Sequence, residues 1–298
     1  QDNDATVGMD CAFDAEYGLK ILRHDGLAWG WPTSRALVEK VKTFPLDASD
    51  VMVTAFPKSG TNWVQIMLAN LYDDWGTCAI TPHRRVPQLE YEAPGMEGYA
   101  ESLRAKSPRL MKCHLPADRM PSAWQNNRAK VIYMTRNPKD VCVSFRYQLQ
   151  VPNLEFDDDW DFWVERFTNG KTIYGAWLDH VLGWKRYGEK DGVLHITYEE
   201  TRKDQIGIMR RVIEFLGRPV DEARFQEVMN KSSFENMKES GYGDQINIGG
   251  PESNRSRFLR KGKVADWKNW FTVAQNELFD ERITRKLEAA GIHLDYEG

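Results

Sequence analysis

The chain has 298 residues, 41% of them hydrophobic and 28% charged, a mix that excludes a collagen, a coiled coil or a disordered tail. Lys and Arg total 40 against 44 Asp and Glu, a formal charge of −4, which argues against a non-specific nucleic-acid binder. No apolar run approaches the ~20 residues that cross a bilayer, and residues 1–20 lack the apolar core of a signal peptide.

Gln1 is an unusual first residue, and Met9 reads as the natural start. Residues 1–15 are therefore expected to be a tag remnant or a disordered end, with 16–298 forming one domain. Val51–Phe56 reads as a buried strand that breaks at Pro57-Lys58-Ser59-Gly60 and leads into a buried helix over Thr61–Tyr72. Arg109–Cys113 and Lys130–Thr135 are further strands, and Asn137-Pro138 opens a helix that runs to about Gln148. Asp157-Asp158-Asp159 reads as a helix cap, because an EF-hand would need Gly at Phe162 and Glu at Thr168. Val193–Tyr198 is the next strand, Gln205–Leu216 the next helix, and the Gly- and Ser-rich stretch Glu239–Arg257 a long loop. Strands alternating with helices predict an α/β fold with a central, mainly parallel sheet flanked by helices. Cys11, Cys78, Cys113 and Cys142 form no CxxC pair. They suit a reducing, cytoplasmic location, and neither zinc nor any other metal is expected.

The turn after the first strand holds the most chemistry. A strand, then Lys58, Ser59, Gly60 and Thr61, then a helix N-terminus make an anion site: unpartnered N–H groups and the positive helix end converge, and Lys58 adds a full charge. The order is not that of the common phosphate loop, since Lys58 precedes its glycine. Arg136, at the end of the Lys130–Thr135 strand, and Ser144, about two helical turns further on, offer a fork of donors and a hydroxyl to a dianionic phosphate. Arg255, Arg257, Arg260, Lys261 and Lys263 concentrate positive charge near the end of a net acidic chain.

Pro57-Lys58-Ser59-Gly60-Thr61 with Asn62 and Trp63 resembles the 5′-phosphosulfate loop of the cytosolic sulfotransferases. Arg136-Asn137-Pro138-Lys139-Asp140-Val141-Cys142-Val143-Ser144 resembles that family's 3′-phosphate segment, and Phe258-Leu259-Arg260-Lys261-Gly262 through Lys268 its C-terminal nucleotide motif. Ala265 stands where the family usually carries Gly, and its methyl disfavours a positive φ. The resemblance covers roughly Gly30 to Glu288. It implies a P-loop-like fold and transfer of a sulfuryl group from 3′-phosphoadenosine 5′-phosphosulfate (PAPS) to a hydroxyl or amine of a small-molecule acceptor. It further implies that Trp63 and Phe234 sandwich the adenine, with Tyr198, Ser232 and Met237 beside the nucleotide.

Leu110-Met111-Lys112-Cys113-His114 matches the family's catalytic strand end. Residues two apart on a strand share a face, so Lys112 and His114 are expected to point together and Cys113 away from them. The chemistry needs a base near neutral pKa, which suits His114, and cations for the developing charge, which suits Lys58 and Lys112. The resemblance adds that Ser144 interacts with Lys58 until the acceptor arrives. Val86-Pro87-Gln88-Leu89-Glu90-Tyr91 resembles a pocket-lining segment, with Gln88 and Tyr91 at positions that often carry aromatics. Phe145, Arg146, Tyr147 and Gln148 line the opposite side, and Gln88 and Arg146, if inward, favour a polar acceptor. Tyr242 and Ile248 are placed to close over the acceptor. Lys268, Thr272, Val273 and Glu277 match the family's short dimer motif. Two other readings stay open: a nucleotide-dependent small-molecule kinase, and a catalytically silent nucleotide- or ligand-binding protein on the same fold.

Overall fold

A computed structural model describes residues 10–72, 87–93, 96–150, 154–156, 158–233, 236 and 262–298. The chain enters through an antiparallel meander of β1 (Ala12–Asp14), β2 (Leu19–His24) and β3 (Leu27–Trp29). Asp25 and Gly26, at φ +54° and +74°, turn β2 into β3, as a two-residue hairpin loop requires. The meander is a correction to the sequence reading, which placed no element before residue 51. Ala12 pairs with Ile21 and Asp14 with Leu19, so ordered structure begins inside the span expected to be disordered. Leu19, Ile21, Leu22 and Trp29 bury the meander's inner face in the main core. Helix α1 (Arg35–Lys42) follows, with its N-terminal amide at Leu37 capped by the Ser34 hydroxyl.

The central sheet contains β4 (Val51–Ala55), β5 (Leu110–Cys113), β6 (Lys130–Thr135) and β7 (Val193–Thr197), in the order β5-β4-β6-β7 and parallel throughout. Between them run α2 (Thr61–Leu71), α3 (Gly98–Arg104), α4 (Ser122–Asn127), α5 (Pro138–Leu149), α6 (Trp160–Thr168) and α7 (Trp177–Lys185). After β7 come α8 (Tyr198–Lys203), α9 (Gln205–Leu216) and α10 (Glu222–Lys231). Alternate strand residues serve opposite faces. Val51, Val53, Leu110, Ile132, Met134, Leu194 and Ile196 pack on α2, α9 and α10. Met52, Met111, Val131, Tyr133 and Val193 pack against α5, α6 and α7 and the meander. Both faces are covered, so the strands read as continuous apolar runs. Each strand and helix expected from residue 51 to Leu216 forms within about two residues of its expected bounds.

Since all four strands run the same way, their C-terminal ends share one rim, where open α/β sheets hold ligands. The opposite rim is closed by a buried ion pair. Asp50 takes the Arg109 guanidinium on both oxygens, at 2.5 and 3.2 Å, and the Arg109 amide at 2.9 Å. Its own carbonyl accepts the Lys130 amide, so one residue ties the starts of β4, β5 and β6. Asp159 caps α6 through the Phe162 amide, as the acidic run predicts; Asp157 and the loop 239–257 lie outside the described residues. The chain closes with helices Val273–Phe279 and Arg285–Ala289, which bury Phe279 and Leu287 in the main core. Cys113 and Cys142 are buried and Cys11 half-buried, all as free thiols; Cys78 lies outside the described residues.

Candidate active site

The loop from β4 to α2 carries two left-handed residues, Lys58 at φ +70° and Gly60 at φ +103°. Such alternating backbone turns successive N–H groups toward one point and forms an anion nest. Gly60 is required twice: a side chain there meets left-handed strain, and its Cβ would lie 2.8 Å from the Tyr198 ring. As N-cap, Gly60 also offers no side chain to the first amides of α2. Ser59 is buried, and its hydroxyl has no hydrogen-bond partner among the described residues. Thr61 is buried as well, while Asn62 and Trp63 are half-buried on the first turn of the helix.

Arg136 joins this loop to the rest of the rim. One guanidinium nitrogen donates to the Lys58 carbonyl at 3.3 Å, and another donates to the Lys263 carbonyl at 3.3 Å. Its Cζ lies over the Tyr198 ring, 4.2 Å from the ring centre. Its Nε is buried without a hydrogen-bond partner among the described residues. The three motif segments, at residues 57–63, 136–144 and 262–268, therefore meet at one side chain, although Lys58 and Lys263 are 205 positions apart (263 − 58).

Two buried carboxylates fix that meeting point, and sequence reasoning missed both. Asp140 accepts the Ala265 and Trp267 amides at 2.9 Å and the Asn137 side-chain amide at 3.0 Å. Glu199, its pKa raised by burial, accepts the Asn137 backbone amide at 2.9 Å. The signal for Asp140 was local: Asn137 caps α5 and accepts the Asp140 amide three residues on. Ala265 adopts φ +65° despite its methyl. That left-handed backbone costs roughly 1–2 kcal/mol, offset by the hydrogen bond its amide makes to buried Asp140.

At the end of β5, the strand alternation places Cys113 away from the site: its thiol donates to Thr54 Oγ1 at 3.3 Å, and burial pushes its pKa up to about 12. Lys112 turns the other way and donates to Asn62 Oδ1 at 3.0 Å. Burial lowers its pKa to about 8, with Glu90 opposing, so the ammonium is mostly charged at pH 7. His114 follows the strand. Its Nδ1 lies 2.8 Å from the Ala55 carbonyl, which only accepts, so Nδ1 carries the hydrogen and Nε2 keeps its lone pair. Burial, then the Lys112 charge, holds the His114 pKa well below its ordinary 6.5.

The segment 87–91, expected to face the acceptor, packs directly on this centre. The buried Glu90 carboxyl accepts the His114 amide and the Gln88 side-chain amide at 2.8 Å, and the Tyr174 hydroxyl at 3.1 Å, all on one oxygen. Burial raises its pKa. Tyr174, held at φ +67°, lies 5.7 Å from the His114 ring. Gln88 and Tyr91 are half-buried, and Gln88 bridges to Lys112. Arg146 turns to the Asp158 carbonyl at 3.2 Å, so its guanidinium braces the chain before α6. Ser144 is half-buried on α5, and the Ser232 hydroxyl is buried at the end of α10 without a hydrogen-bond partner among the described residues. Gly262 is half-buried. Phe234, Met237, Tyr242, Ile248, Phe258, Leu259, Arg260 and Lys261 lie outside the described residues.

Comparison with known proteins gives this rim a context. Residues 48–291 match the family model described as a sulfotransferase domain. The chain is 35% identical to human sulfotransferase 1C2 over 263 residues, covering 85% of this chain and 88% of that protein. It is 34% identical to dog sulfotransferase 1A1 over 262 residues, covering 86% and 89%. Among solved structures, mouse sulfotransferase SULT7A1 complexed with PAP superposes with a TM-score of 0.78 at 31% identity, over 91% of this chain and 95% of that one. Retinol dehydratase superposes with a TM-score of 0.72 at 20% identity, over 97% and 93%, a likeness of fold alone. A family model spanning the central sheet and both nucleotide-motif loops, with relatives a third identical over most of their length, settles the kinship: the chain belongs to the sulfotransferase family.

Proposed function

We propose that this protein transfers the sulfuryl group of PAPS to a hydroxyl or amine of a small-molecule acceptor, with His114 as general base. The observation that carries the reading is Arg136, which gathers the three motif segments into one cationic rim. The residues suit an anionic nucleotide. Ser59 Oγ and Arg136 Nε are buried polar atoms with no hydrogen-bond partner among the described residues, a costly arrangement unless a ligand completes it. PAPS supplies the activated sulfuryl group. Lys58, Ser59, Gly60, Thr61 and Asn62 are assigned to its 5′ end, Arg136 and Ser144 to its 3′-phosphate, Trp63 and Tyr198 to its base and ribose region. Ser232, Gly262 and the motif residues 258–261 complete the assignment by resemblance. The His114 Nε2 lone pair takes the acceptor's proton, while Lys58 and Lys112 supply cationic charge to the reacting centre. Gln88 and Tyr91 are assigned to the acceptor.

Adenosine 3′,5′-bisphosphate, the product nucleotide, tests the reading. At 100 times its dissociation constant it should stabilise the fold by about 2.7 kcal/mol, a rise in Tm of about 4 °C for a chain of this size. NAD and ATP should give much smaller shifts. A larger shift with ATP would favour a kinase and overturn the reading, and absence of turnover with labelled PAPS across phenols, amines and aliphatic alcohols would favour a silent binder.

We also assign the surface around Val273 to self-association. Val273 is 77% exposed, and Thr272 and Glu277 flank it on the exposed side of the same helix. Lys268 pairs with Glu297 of its own chain. Sedimentation velocity at micromolar concentration should show a dimer that Val273→Glu dissociates; a wild-type monomer under those conditions removes the assignment. A cytoplasmic location is part of the same proposal, supported by the free thiols, and fractionation of expressing cells checks it.

A further inference from the structure

The peptide group of His114 is held at both ends. Glu90 accepts its N–H on one side, and on the other its carbonyl lies 3.2 Å from Nε2 of His180, a buried residue of α7. A carbonyl only accepts, so His180 Nε2 carries the hydrogen and Nδ1 must accept. The donor to Nδ1 is the Tyr133 hydroxyl of β6, 2.9 Å away. A directed chain therefore runs from Tyr133 O–H to His180 Nδ1, and from His180 Nε2–H to the His114 carbonyl.

The His180 ring has little freedom to leave this arrangement. It stacks on Tyr133 with centroids 5.8 Å apart and planes 23° apart, and meets the Phe56 ring edge-on at 5.7 Å. Burial lowers its pKa to about 4, which keeps the ring neutral and Nδ1 able to accept. His180 is 1% exposed and has its two nitrogens engaged, so it has no spare atom for substrate.

We propose that His180 is a positioning residue for the reaction: it fixes the His114 backbone, and Tyr133 fixes the tautomer that lets it do so. The proposal rests on His114 being the base. A clamp on the peptide sets where the imidazole starts, and the Ala55 carbonyl sets how it points. Displacing a reacting group by about 1 Å can cost 10²-fold in rate.

Three variants test this in the full-length protein. His180→Phe keeps the aromatic volume and loses the donor; His180→Gln restores an N–H at the Nε2 position; Tyr133→Phe leaves the ring but frees its tautomer. His180→Phe should lower kcat by about 10–100-fold, with acceptor KM and the bisphosphate-induced Tm shift within twofold of wild type. His180→Gln should recover kcat to within about threefold, and Tyr133→Phe should fall between the two. In protein labelled with ¹⁵N-histidine, the His114 ring signals should report a single Nδ1–H tautomer in wild type and His180→Gln, and lose that uniformity in His180→Phe and Tyr133→Phe. A His180→Phe enzyme with kcat within twofold of wild type, or a loss that Gln does not recover, overturns the inference. If His180→Phe does not fold, unchanged kcat and His114 signals in Tyr133→Phe overturn it equally. His114→Ala run alongside separates the two readings: retained turnover there sinks the base and this inference together, whereas an inactive His114→Ala beside a normal His180→Phe sinks this inference alone.

Discussion

His114→Ala is expected to lower kcat by about 10²–10⁴-fold, the usual loss on removing a general base, while adenosine 3′,5′-bisphosphate raises its Tm as much as in wild type. The separation follows from placement. His114 spends Nδ1 on the Ala55 carbonyl and sits beside Tyr174 and Glu90, the side proposed for the acceptor. Arg136 stands with the loops at Lys58 and Lys263. Arg136→Ala should therefore act on the nucleotide, weakening the bisphosphate by roughly 10–150-fold, the range of one charge-assisted contact worth about 1.5–3 kcal/mol. The pH dependence carries a sign as well. Burial and Lys112 hold the His114 pKa well below 6.5, so His114 stays unprotonated as pH falls through that value, and kcat/KM for the acceptor should keep its plateau below pH 6.5. An acid limb centred at an ordinary histidine pKa, or a His114→Ala enzyme with near-normal kcat, contradicts the assignment.

The second large effect lies at the far rim of the sheet. Asp50→Ala leaves the Arg109 guanidinium buried with the Ser102 and Pro45 carbonyls and the Phe44 ring but without its carboxylate, and it strips a side-chain acceptor from the Arg109 and Asp47 amides. Breaking a buried pair in this way costs about 3–5 kcal/mol, because the remaining charge stays uncompensated. For a chain of this length that lowers Tm by roughly 5–8 °C. The variant that remains folded should bind the bisphosphate and turn over normally, since the pair stands at the strand N-termini and the site at their C-termini. A drop under 3 °C would show that Arg109 finds other partners. A selective loss of kcat at unchanged Tm would show that the two rims are coupled.

How much of this was legible in the sequence depended on how far each signal reached along the chain. The buried strands and α9 announce themselves through local apolar runs and spacing, and they form almost where expected. The phosphate loop was readable because its parts are contiguous. The meander was overlooked although Asp25-Gly26 is a strong hairpin signal; its flanking strands are only six and three residues long, and short apolar runs carry weak periodicity. Glu90, Tyr174, His180 and Glu199 were missed for a different reason. Each is a polar residue whose meaning comes from burial against partners remote in sequence, as His180 is from His114 by 66 residues. Arg146 shows the converse error: its place opposite Gln88 suggested a pocket charge, but the Asp158 carbonyl claims it.

The left-handed backbone at Lys58 has a consequence for how variants combine. That conformation costs a non-glycine residue about 1–2 kcal/mol, and the Lys58 carbonyl is held in it by the same guanidinium that holds the Lys263 carbonyl. A change that draws Lys263 away frees Arg136 to shift, and the Lys58 turn then loses part of what restrains it. Substitutions in these two loops, 205 positions apart (263 − 58), share a partner and so should not contribute independently to nucleotide affinity. Evolution at one end of the nucleotide site is in this sense answerable to the other: a residue accepted near 263 alters which residues can be accepted near 58, with Arg136 as the intermediary.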